Sequence, residues 1–216
     1  MNIMRKYQKS LLDPTQCAVI IIDHEPQMYF GVESHNRRCI LGNTAGLIKA
    51  AKAFGVPVIL TTVTEKEFSG PIAKLLTDAC PEFVPIDRSS INCWEDENLR
   101  NAVSATKRKK LILAGLWTEA CITFPALSML EDNYEAFVVE DACGGATKAA
   151  HDVAMQRMIQ AGVIPLTWQQ TMLEFQRDWG NKDTYQAVMN IVKEYGGAYG
   201  LGVEYAESMV PAFSQS

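Results

Sequence analysis

The strongest constraint on the fold is the segment "CAVIIID" from Cys17 to Asp23, in which six successive apolar residues end in a charge. A strand with one solvated face alternates apolar and polar residues. A continuous apolar run of this length is instead typical of a strand buried on both faces. Comparable runs occupy residues 56–63, 110–116, 135–141 and 163–168, with a weaker one at 83–87. The sequence therefore predicts a mainly parallel sheet with helices on both sides.

Amphipathic segments separate the apolar runs. Apolar residues recur at helical spacing in the segment that stops at Gly55, and again in residues 94–107, 119–133, 148–162, 171–179 and 182–195. Strand–helix alternation with right-handed crossovers predicts a three-layer, doubly wound α/β sheet of about six mainly parallel strands, in the order 3-2-1-4-5-6. We expect one domain over residues 1–216, with residues 196–216 as a tail that is either an oligomer arm or a partly disordered end.

Charge and composition exclude several classes of function. A net charge of −5 argues against a nucleic-acid partner, and no window is apolar enough to span a bilayer. The first residues lack the apolar stretch of a signal peptide, so we expect a cytoplasmic location. The six cysteines are scattered without a CxxC pair, which predicts free thiols, most of them packed in the core.

Two chemically useful residues follow strands that the predicted order makes neighbours. Asp23 ends the first strand and Cys121 follows the fourth, so both face the crevice where strand order reverses. A thiolate attacks carbonyl carbon well, and a carboxylate can accept the thiol proton. Because a carboxylate alone raises the pKa of a thiol, a cation is also expected close by. This arrangement predicts a nucleophilic cysteine.

Three motifs now become recognisable: "AVIIIDHEPQM", "DRSSINCWEDENL" and "LILAGLWTEACITFPALSMLEDNYEAFVVEDACG". With "RMIQAGVIPLTW" they make the chain resemble the isochorismatase-like cysteine hydrolases, and within them the YcaC-like hydrolases, from about Asp13 to Trp179. The resemblance implies an isochorismatase-like fold and a catalytic trio of Asp23, Cys121 and a cation. The family places a lysine where this chain has Arg88, which keeps the charge but not the geometry. A surface ion pair between Arg88 and Asp87 or Glu95 is the alternative.

The resemblance also implies a cis peptide bond between Leu116 and Trp117. Such a bond would direct the Trp117 N–H toward the same point as the Cys121 N–H, and the two would form an oxyanion hole. For the substrate pocket we expect apolar walls from four aromatic residues: Phe30, Trp94, Trp117 and Phe124. A place in the core is the ordinary alternative for each aromatic ring.

No metal or other cofactor is expected. The three histidines, His24, His35 and His151, do not form a pair at ligand spacing, and His24 should point away from Asp23 because it is the next residue along. We expect His151 at the surface or at an interface. Glu119, in the first turn of a helix, is expected to have a structural role.

The implied activity is cysteine-dependent hydrolysis of a C–N bond in a small amide, through a thioester. One alternative is an isochorismatase-type hydrolase that acts on a non-amide small molecule, although Cys121 argues against it. The other is a non-catalytic or redox-sensitive thiol module. The expected partners are a small-molecule substrate and further copies of the chain, since the resemblance implies a homo-oligomer, either a tetramer or an octamer.

Overall fold

The computed structural model describes residues 11–210 and contains a six-stranded sheet in the order β3-β2-β1-β4-β5-β6. All neighbouring strands are parallel, which confirms the predicted order. The strands are β1 Cys17–Ile22, β2 Val58–Val63, β3 Ile86–Arg88, β4 Lys110–Gly115, β5 Glu135–Val139 and β6 Ile164–Leu166.

Helices cover both faces of this sheet. In chain order they are α1 Pro26–Phe30, α2 Arg37–Ala53, α3 Lys74–Ala79, α4 Glu97–Thr106, α5 Thr123–Glu131, α6 Lys148–Ala161, α7 Trp168–Gln176, α8 Lys182–Tyr195 and α9 Ala198–Met209. None of the helices within residues 11–210 combines the length and the apolar composition that a membrane span requires.

The first strand supplies side chains to both layers of the core, which explains its unbroken apolar sequence. Val19 and Ile21 pack into the layer formed with α2, α7 and α8. Ala18, Ile20 and Ile22 pack into the opposite layer, formed with α4, α5 and α6. Successive side chains of a strand point to opposite faces, so a strand covered on both sides has no position for a solvated residue.

Side-chain caps move two helix starts away from the positions that the apolar pattern predicts. Asp96 accepts the N–H of Leu99 at 2.9 Å, so α4 begins after it and not at position 94. Thr167 accepts the N–H of Gln170 at 3.3 Å, so α7 begins at Trp168 and not at position 171. A polar N-cap satisfies a free backbone N–H, and here it outweighs the apolar periodicity.

The tail contains a helix over residues 198–209, which the sequence did not predict. Helix α9 packs on α8, where a Cβ at Gly200 would lie 2.5 Å from the carbonyl oxygen of Val192, and Val203 is buried. A partly disordered end is therefore wrong for residues 198–209. Residues 211–216 of the predicted tail lie outside the described part of the chain.

The strands on either side of the order reversal approach each other very closely. Gly115, the last residue of β4, pairs with Ile22, the last residue of β1. A Cβ at Gly115 would lie only 2.2 Å from the carbonyl oxygen of Ile22. That same oxygen accepts the N–H of Leu116 at 3.1 Å. A glycine is needed here for steric reasons, at the edge from which both Asp23 and the Cys121 segment leave the sheet.

Gly115→Ala should destabilise the protein by about 1–3 kcal/mol, because the added methyl group must push β1 and β4 apart. The free energy of unfolding from urea titration measures this loss. Gly42→Ala is the control: nothing lies within 4 Å of its added Cβ, and alanine in a helix is favoured over glycine by roughly 0.5–1 kcal/mol. Equal stability of the two variants would contradict the close approach at Gly115.

Candidate active site

A buried ion pair joins the ends of β1 and β3. Nη2 of Arg88 lies 2.8 Å from both carboxylate oxygens of Asp23, and Nη1 donates to the carbonyl oxygen of Ser90 at 2.6 Å. Neighbouring strands lie about 4.8 Å apart, so a β3 residue must span roughly 10 Å to reach β1 across β2. Arginine is long enough to do so. Arg88 therefore pairs with Asp23 and not with Asp87 or Glu95 at the surface.

The backbone turns sharply at Asp23. Its φ of 55° lies in the left-handed region, which aspartate tolerates better than most residues with a Cβ. The Asp23 N–H still donates to the carbonyl oxygen of Thr61 at 3.0 Å, so the residue is tied to β2 while its side chain faces Arg88. The side chains of Asp23 and Arg88 are 0% and 1% exposed. Water therefore contributes little to the solvation of either charge.

Burial dominates the electrostatics of this pair. It raises the pKa of Asp23 to about 6, although Arg88 and a hydrogen bond from the Cys121 thiol act in the opposite direction. For Arg88, burial lowers the pKa, but attraction from Asp23 raises it above its ordinary value overall. Asp23 is thus an ionised carboxylate at neutral pH that can accept a proton without a large energetic cost.

The Cys121 thiol interacts electrostatically with each of these groups. The Asp23 carboxylate opposes ionisation of the thiol, whereas the Arg88 guanidinium and the backbone N–H of Trp117 favour it. Burial raises the pKa of the thiol above its ordinary range and Asp23 raises it further, while Arg88 and the Trp117 N–H lower it by less. Burial and Asp23 together favour the neutral thiol in the free protein, even though the expected cation, Arg88, interacts with the thiol.

The turn that carries Cys121 is wider than the first turn of an α-helix. The peptide bond between Leu116 and Trp117 is cis, as expected. Residues Thr118–Ile122 then form a π-helical turn, and α5 begins only at Thr123. Pro125 has no N–H to donate to the carbonyl of Cys121, so an ordinary helical ladder cannot extend back to the cysteine.

The indole of Trp117 connects the thiol turn to α1. Its Nε1–H donates to the carbonyl oxygen of Met28 at 2.8 Å. The ring also lies against Gly31, where a Cβ would be 2.3 Å from a ring carbon. Residues 26–31 and the thiol turn are therefore packed together as one wall of the site.

The four aromatic residues predicted to line the pocket lie in different environments. Trp117 is half-buried against Gly31, whereas Phe30 is 72% exposed next to Gly31, and Phe124 is exposed three residues after Cys121. Trp94 is buried in the core, and its Nε1–H donates to Asp132 at 2.7 Å, at the end of α5 that is farther from Cys121. Trp94 packs in the same core layer as Cys121, and its role in the pocket stays a prediction.

Sequence reasoning missed two further residues of the site. Glu25 is fully buried and interacts electrostatically with Asp23 and Arg88. It stands two residues after Asp23, and this spacing could have indicated a shared face. Cys93 is buried against Arg88, and burial raises the pKa of its thiol to about 12. No sequence pattern around Cys93 indicates this position.

The histidines lie outside this cluster. His24 points away from Asp23, with Nδ1 at 2.6 Å from the Tyr29 hydroxyl, and burial lowers its pKa to about 3. His151 is fully buried, with Nδ1 2.8 Å from the Thr118 hydroxyl and its ring stacked edge-on against His35, so its predicted surface position is wrong. Among residues 11–210, no group of three or more His, Cys, Asp or Glu side chains is arranged so that it could hold a metal ion.

Comparisons with known proteins agree with the geometry. The isochorismatase domain family matches residues 17–170. The chain is 37% identical over 171 residues to the probable hydrolase YcaC of Escherichia coli strain K12, which covers 79% of this chain and 82% of that protein.

Two solved structures are also similar over most of their length. The YcaC gene product of E. coli, described as an octameric hydrolase of unknown specificity, matches with a TM-score of 0.87 and 33% identity, over 92% of this chain and 97% of that one. YcaC from Pseudomonas aeruginosa, solved with hexane-2,5-diol and covalent acrylamide, matches with a TM-score of 0.85 and 34% identity, over 89% and 95% of the two chains.

Arg88→Met should lower the free energy of unfolding by about 3 kcal/mol or more at pH 8, because it leaves the Asp23 carboxylate buried without a partner. The loss should be smaller at pH 5, where Asp23 can bind a proton and become neutral. Urea titrations at both pH values measure the difference. The control is Lys74→Met, which removes an exposed i,i+4 pair with Asp78 and should change little. An equal loss for Arg88→Met at both pH values would contradict the buried pair.

Proposed function

The chain belongs to the isochorismatase family, and within it we propose a hydrolase that cleaves a C–N bond of a small amide through the Cys121 thiol. The observation that carries this proposal is the buried contact between the thiol, the Asp23 carboxylate and the Arg88 guanidinium. A nucleophile, a proton acceptor in contact with it and a group that holds the acceptor in place are the parts that covalent acyl transfer requires. The similarity to YcaC proteins described as hydrolases supports the reaction class.

The first half of the proposed reaction acylates the cysteine. Asp23 accepts the thiol proton as Sγ of Cys121 forms a bond to the amide carbon, and the carbonyl oxygen becomes an oxyanion. The backbone N–H groups of Trp117 and Cys121 are proposed to bind that oxyanion. Asp23 then donates the proton to the amide nitrogen, the C–N bond breaks, and ammonia or an amine leaves a thioester behind.

The second half hydrolyses this thioester. Asp23, again a carboxylate, accepts a proton from water as the water oxygen forms a bond to the carbonyl carbon. The C–S bond then breaks, the acid product leaves, and the Cys121 thiolate takes the proton back from Asp23. Arg88 stays paired with Asp23 whenever Asp23 is charged. The reaction needs no metal or other cofactor.

A neutral resting thiol is compatible with this reaction. Because the thiol and the Asp23 carboxylate interact, the proton can move to Asp23 during attack, and a stable thiolate is not required. A pKa of about 6 for Asp23 places it near the optimum for a group that must both accept and return a proton near neutral pH. Free thiols of this kind persist in a reducing cytoplasm, where we propose that the protein acts.

The substrate is proposed to be small, with apolar contacts from Trp117, Phe30 and Phe124. The Trp117 ring belongs to the same turn as Cys121 and lies against Gly31, and Phe30 is the neighbour of that glycine. The Pseudomonas aeruginosa YcaC holds covalent acrylamide. Acrylamide is a small amide that also alkylates thiols, so it is a suitable first probe of Cys121.

Cys121→Ala should reduce turnover by roughly 10³-fold or more, because no other group can form the thioester. Ammonia release from a panel of small amides measures the activity, and circular dichroism shows that the fold is retained. Cys39→Ala is the control, since it removes an exposed thiol far from this chemistry. Undiminished turnover by Cys121→Ala would exclude the cysteine mechanism and favour direct hydrolysis of a non-amide substrate. Turnover of no amide by the wild type would favour the redox or binding alternative.

We also propose that the protein is a homo-oligomer and that α9 contributes to the interface. Leu201, Tyr205 and Met209 are spaced by four residues, so they form one stripe along the helix, and they are 68, 64 and 61% exposed. Beside it, a groove of about 530 Å³ between α8 and α9 is lined by Trp179 and Tyr199 among others. The octameric E. coli YcaC supports a second copy of the chain as the partner.

Replacing both Leu201 and Tyr205 by glutamate should convert the protein to a smaller species, because charge cannot be buried in an apolar contact without a partner. Sedimentation velocity measures the mass of each form. Glu204→Gln, an exposed change on the same helix, should keep the wild-type mass. A wild type that sediments as a monomer would contradict the proposal, and so would a double variant that keeps the wild-type mass.

A further inference from the structure

Glu25 is a buried carboxyl that the proposed reaction does not use. Its Oε1 accepts the N–H of Val63, the last residue of β2, at 2.8 Å. Its Oε2 has no hydrogen-bond partner within the described part of the chain, although it is inaccessible to solvent. The residue lies two positions after Asp23, and Val63 pairs with Arg88 in the sheet. Glu25 is thus bound to β2, the strand that lies between β1 and β3, and the ends of β1 and β3 carry Asp23 and Arg88.

Two carboxyls and one guanidinium meet at this point. Arg88 places Nη2 between both oxygens of Asp23 and gives Nη1 to Ser90, so these two nitrogens make no hydrogen bond to Glu25. An ionised Glu25 would add a second negative charge beside Asp23, with one oxygen unsatisfied. A buried charge without a partner is among the most costly features in a protein interior, whereas a neutral carboxylic acid is much less so.

We infer that Glu25 is a positioning residue that stays uncharged in the working site, so that Arg88 neutralises Asp23 alone, and that ionisation of Glu25 inactivates Cys121. The two carboxyls then have separate roles. Asp23 exchanges protons with the thiol, whereas Glu25 keeps its proton and holds the segment after β1 against the end of β2. The inference rests on the proposed role of Cys121 in the reaction.

The electrostatic environment of Glu25 agrees with a neutral Glu25 beside an ionised Asp23. Burial, and then repulsion from Asp23, raise the pKa of Glu25 to about 8, while the Val63 N–H and Arg88 lower it by less. Asp87 of β3 is held by the Thr62 hydroxyl at 2.9 Å and by the Glu65 N–H at 3.1 Å. Other titratable groups on the adjoining elements are the hydrogen-bonded pair His24 and Tyr29, the half-buried Glu65, the exposed Lys66 and Glu67, and the exposed pair Lys74 and Asp78 of α3.

Loss of the Glu25 proton would disturb the site because a second negative charge beside Asp23 is poorly solvated in the protein interior. The ionised carboxylate competes with Asp23 for Arg88 or draws water into the cluster. Either response weakens the two hydrogen bonds that fix the Asp23 oxygens, and with them the alignment of the base and the thiol. Sub-ångström misplacement of a base is sufficient to slow proton transfer.

The first measurement is the pH dependence of Cys121 alkylation by acrylamide, followed by mass spectrometry of the cysteine-containing peptides. In the wild type the rate should rise as Asp23 ionises near pH 6. It should then fall about tenfold by pH 9, roughly one unit above the pKa of Glu25. The exposed Cys39 is an internal reference, since its rate should only rise with pH.

Glu25→Gln keeps an acceptor for the Val63 N–H and imitates the neutral acid. This variant should react at a rate within about threefold of the wild type near pH 7 and should lack the fall above pH 8. Glu25→Ala leaves the Val63 N–H without a partner and should react at least tenfold more slowly near pH 7. Recovery by glutamine, but not by alanine, would show that shape and neutrality are what the site requires at this position.

A second measurement does not depend on any reaction of Cys121. Between pH 4.5 and about 8, an unfolded Glu25 has lost its proton while the folded one retains it. The folded state therefore binds more protons, and the stability of the wild type falls as pH rises through this window. The unfolding equilibrium constant of the wild type, relative to Glu25→Gln, should rise about tenfold per pH unit there and level off above pH 8.

Glu119→Gln is the matched control. Its Oε1 also accepts a backbone N–H, that of Ala146 at 2.9 Å, and its Oε2 is also buried without a partner within residues 11–210. It is a residue of the thiol turn, lies against Gly145 and makes no hydrogen bond to Asp23 or Arg88. This variant should keep the alkaline fall in alkylation.

Three outcomes would overturn the inference. Glu25→Gln could keep the alkaline fall, it could be as slow as Glu25→Ala at every pH, or the wild type and Glu25→Gln could unfold with the same pH dependence. None of these depends on amide turnover. Retained turnover in Cys121→Ala would instead refute the proposed hydrolase mechanism. The alkylation and unfolding measurements would still test the role of Glu25, because neither uses amide turnover.

Discussion

The ion pair between Asp23 and Arg88 is the interaction on which the site depends. It reaches across β2 to join the ends of β1 and β3, and it is closed to water on all sides. Such a pair adds little net stability, because desolvation offsets most of the attraction, but removal of one partner is severe. Its value here is therefore geometric: it holds a carboxylate in one orientation at the point where the strand order reverses.

The rest of the cluster is arranged around that carboxylate. A cis peptide and a wide turn bring the Cys121 thiol onto Asp23, and the Trp117 ring ties this turn to α1. Burial favours the protonated thiol in the free protein, so in the proposed reaction the reactive form arises only when the proton moves to Asp23 during attack. This arrangement protects a buried thiol from unselective reactions, because thiolate and not thiol is the reactive species.

Much of the fold was predictable, because burial of a strand on both faces leaves a clear mark on its sequence. β1 and β4 are buried on both faces, so their sequences carry no polar residue at strand positions except the terminal Lys110, and the order of the strands followed from topology. The predicted ends of the helices were less accurate. The caps Asp96 and Thr167 decide where α4 and α7 begin. Helix α9 was missed because its large apolar residues Leu201, Tyr205 and Met209 are exposed in one copy of the chain, so they do not mark a core face.

The sequence by itself determined the apolar strands, their order and therefore the meeting of Asp23 with the thiol segment, because these depend on local burial patterns and on general topological rules. Only the tertiary structure decided which long-range contacts those residues make. It paired Arg88 with Asp23, placed Trp94 and His151 in the interior, and brought Glu25 and Cys93 to the site. Such contacts depend on side-chain direction and on burial from other elements, and neither is encoded in the residues adjacent in sequence.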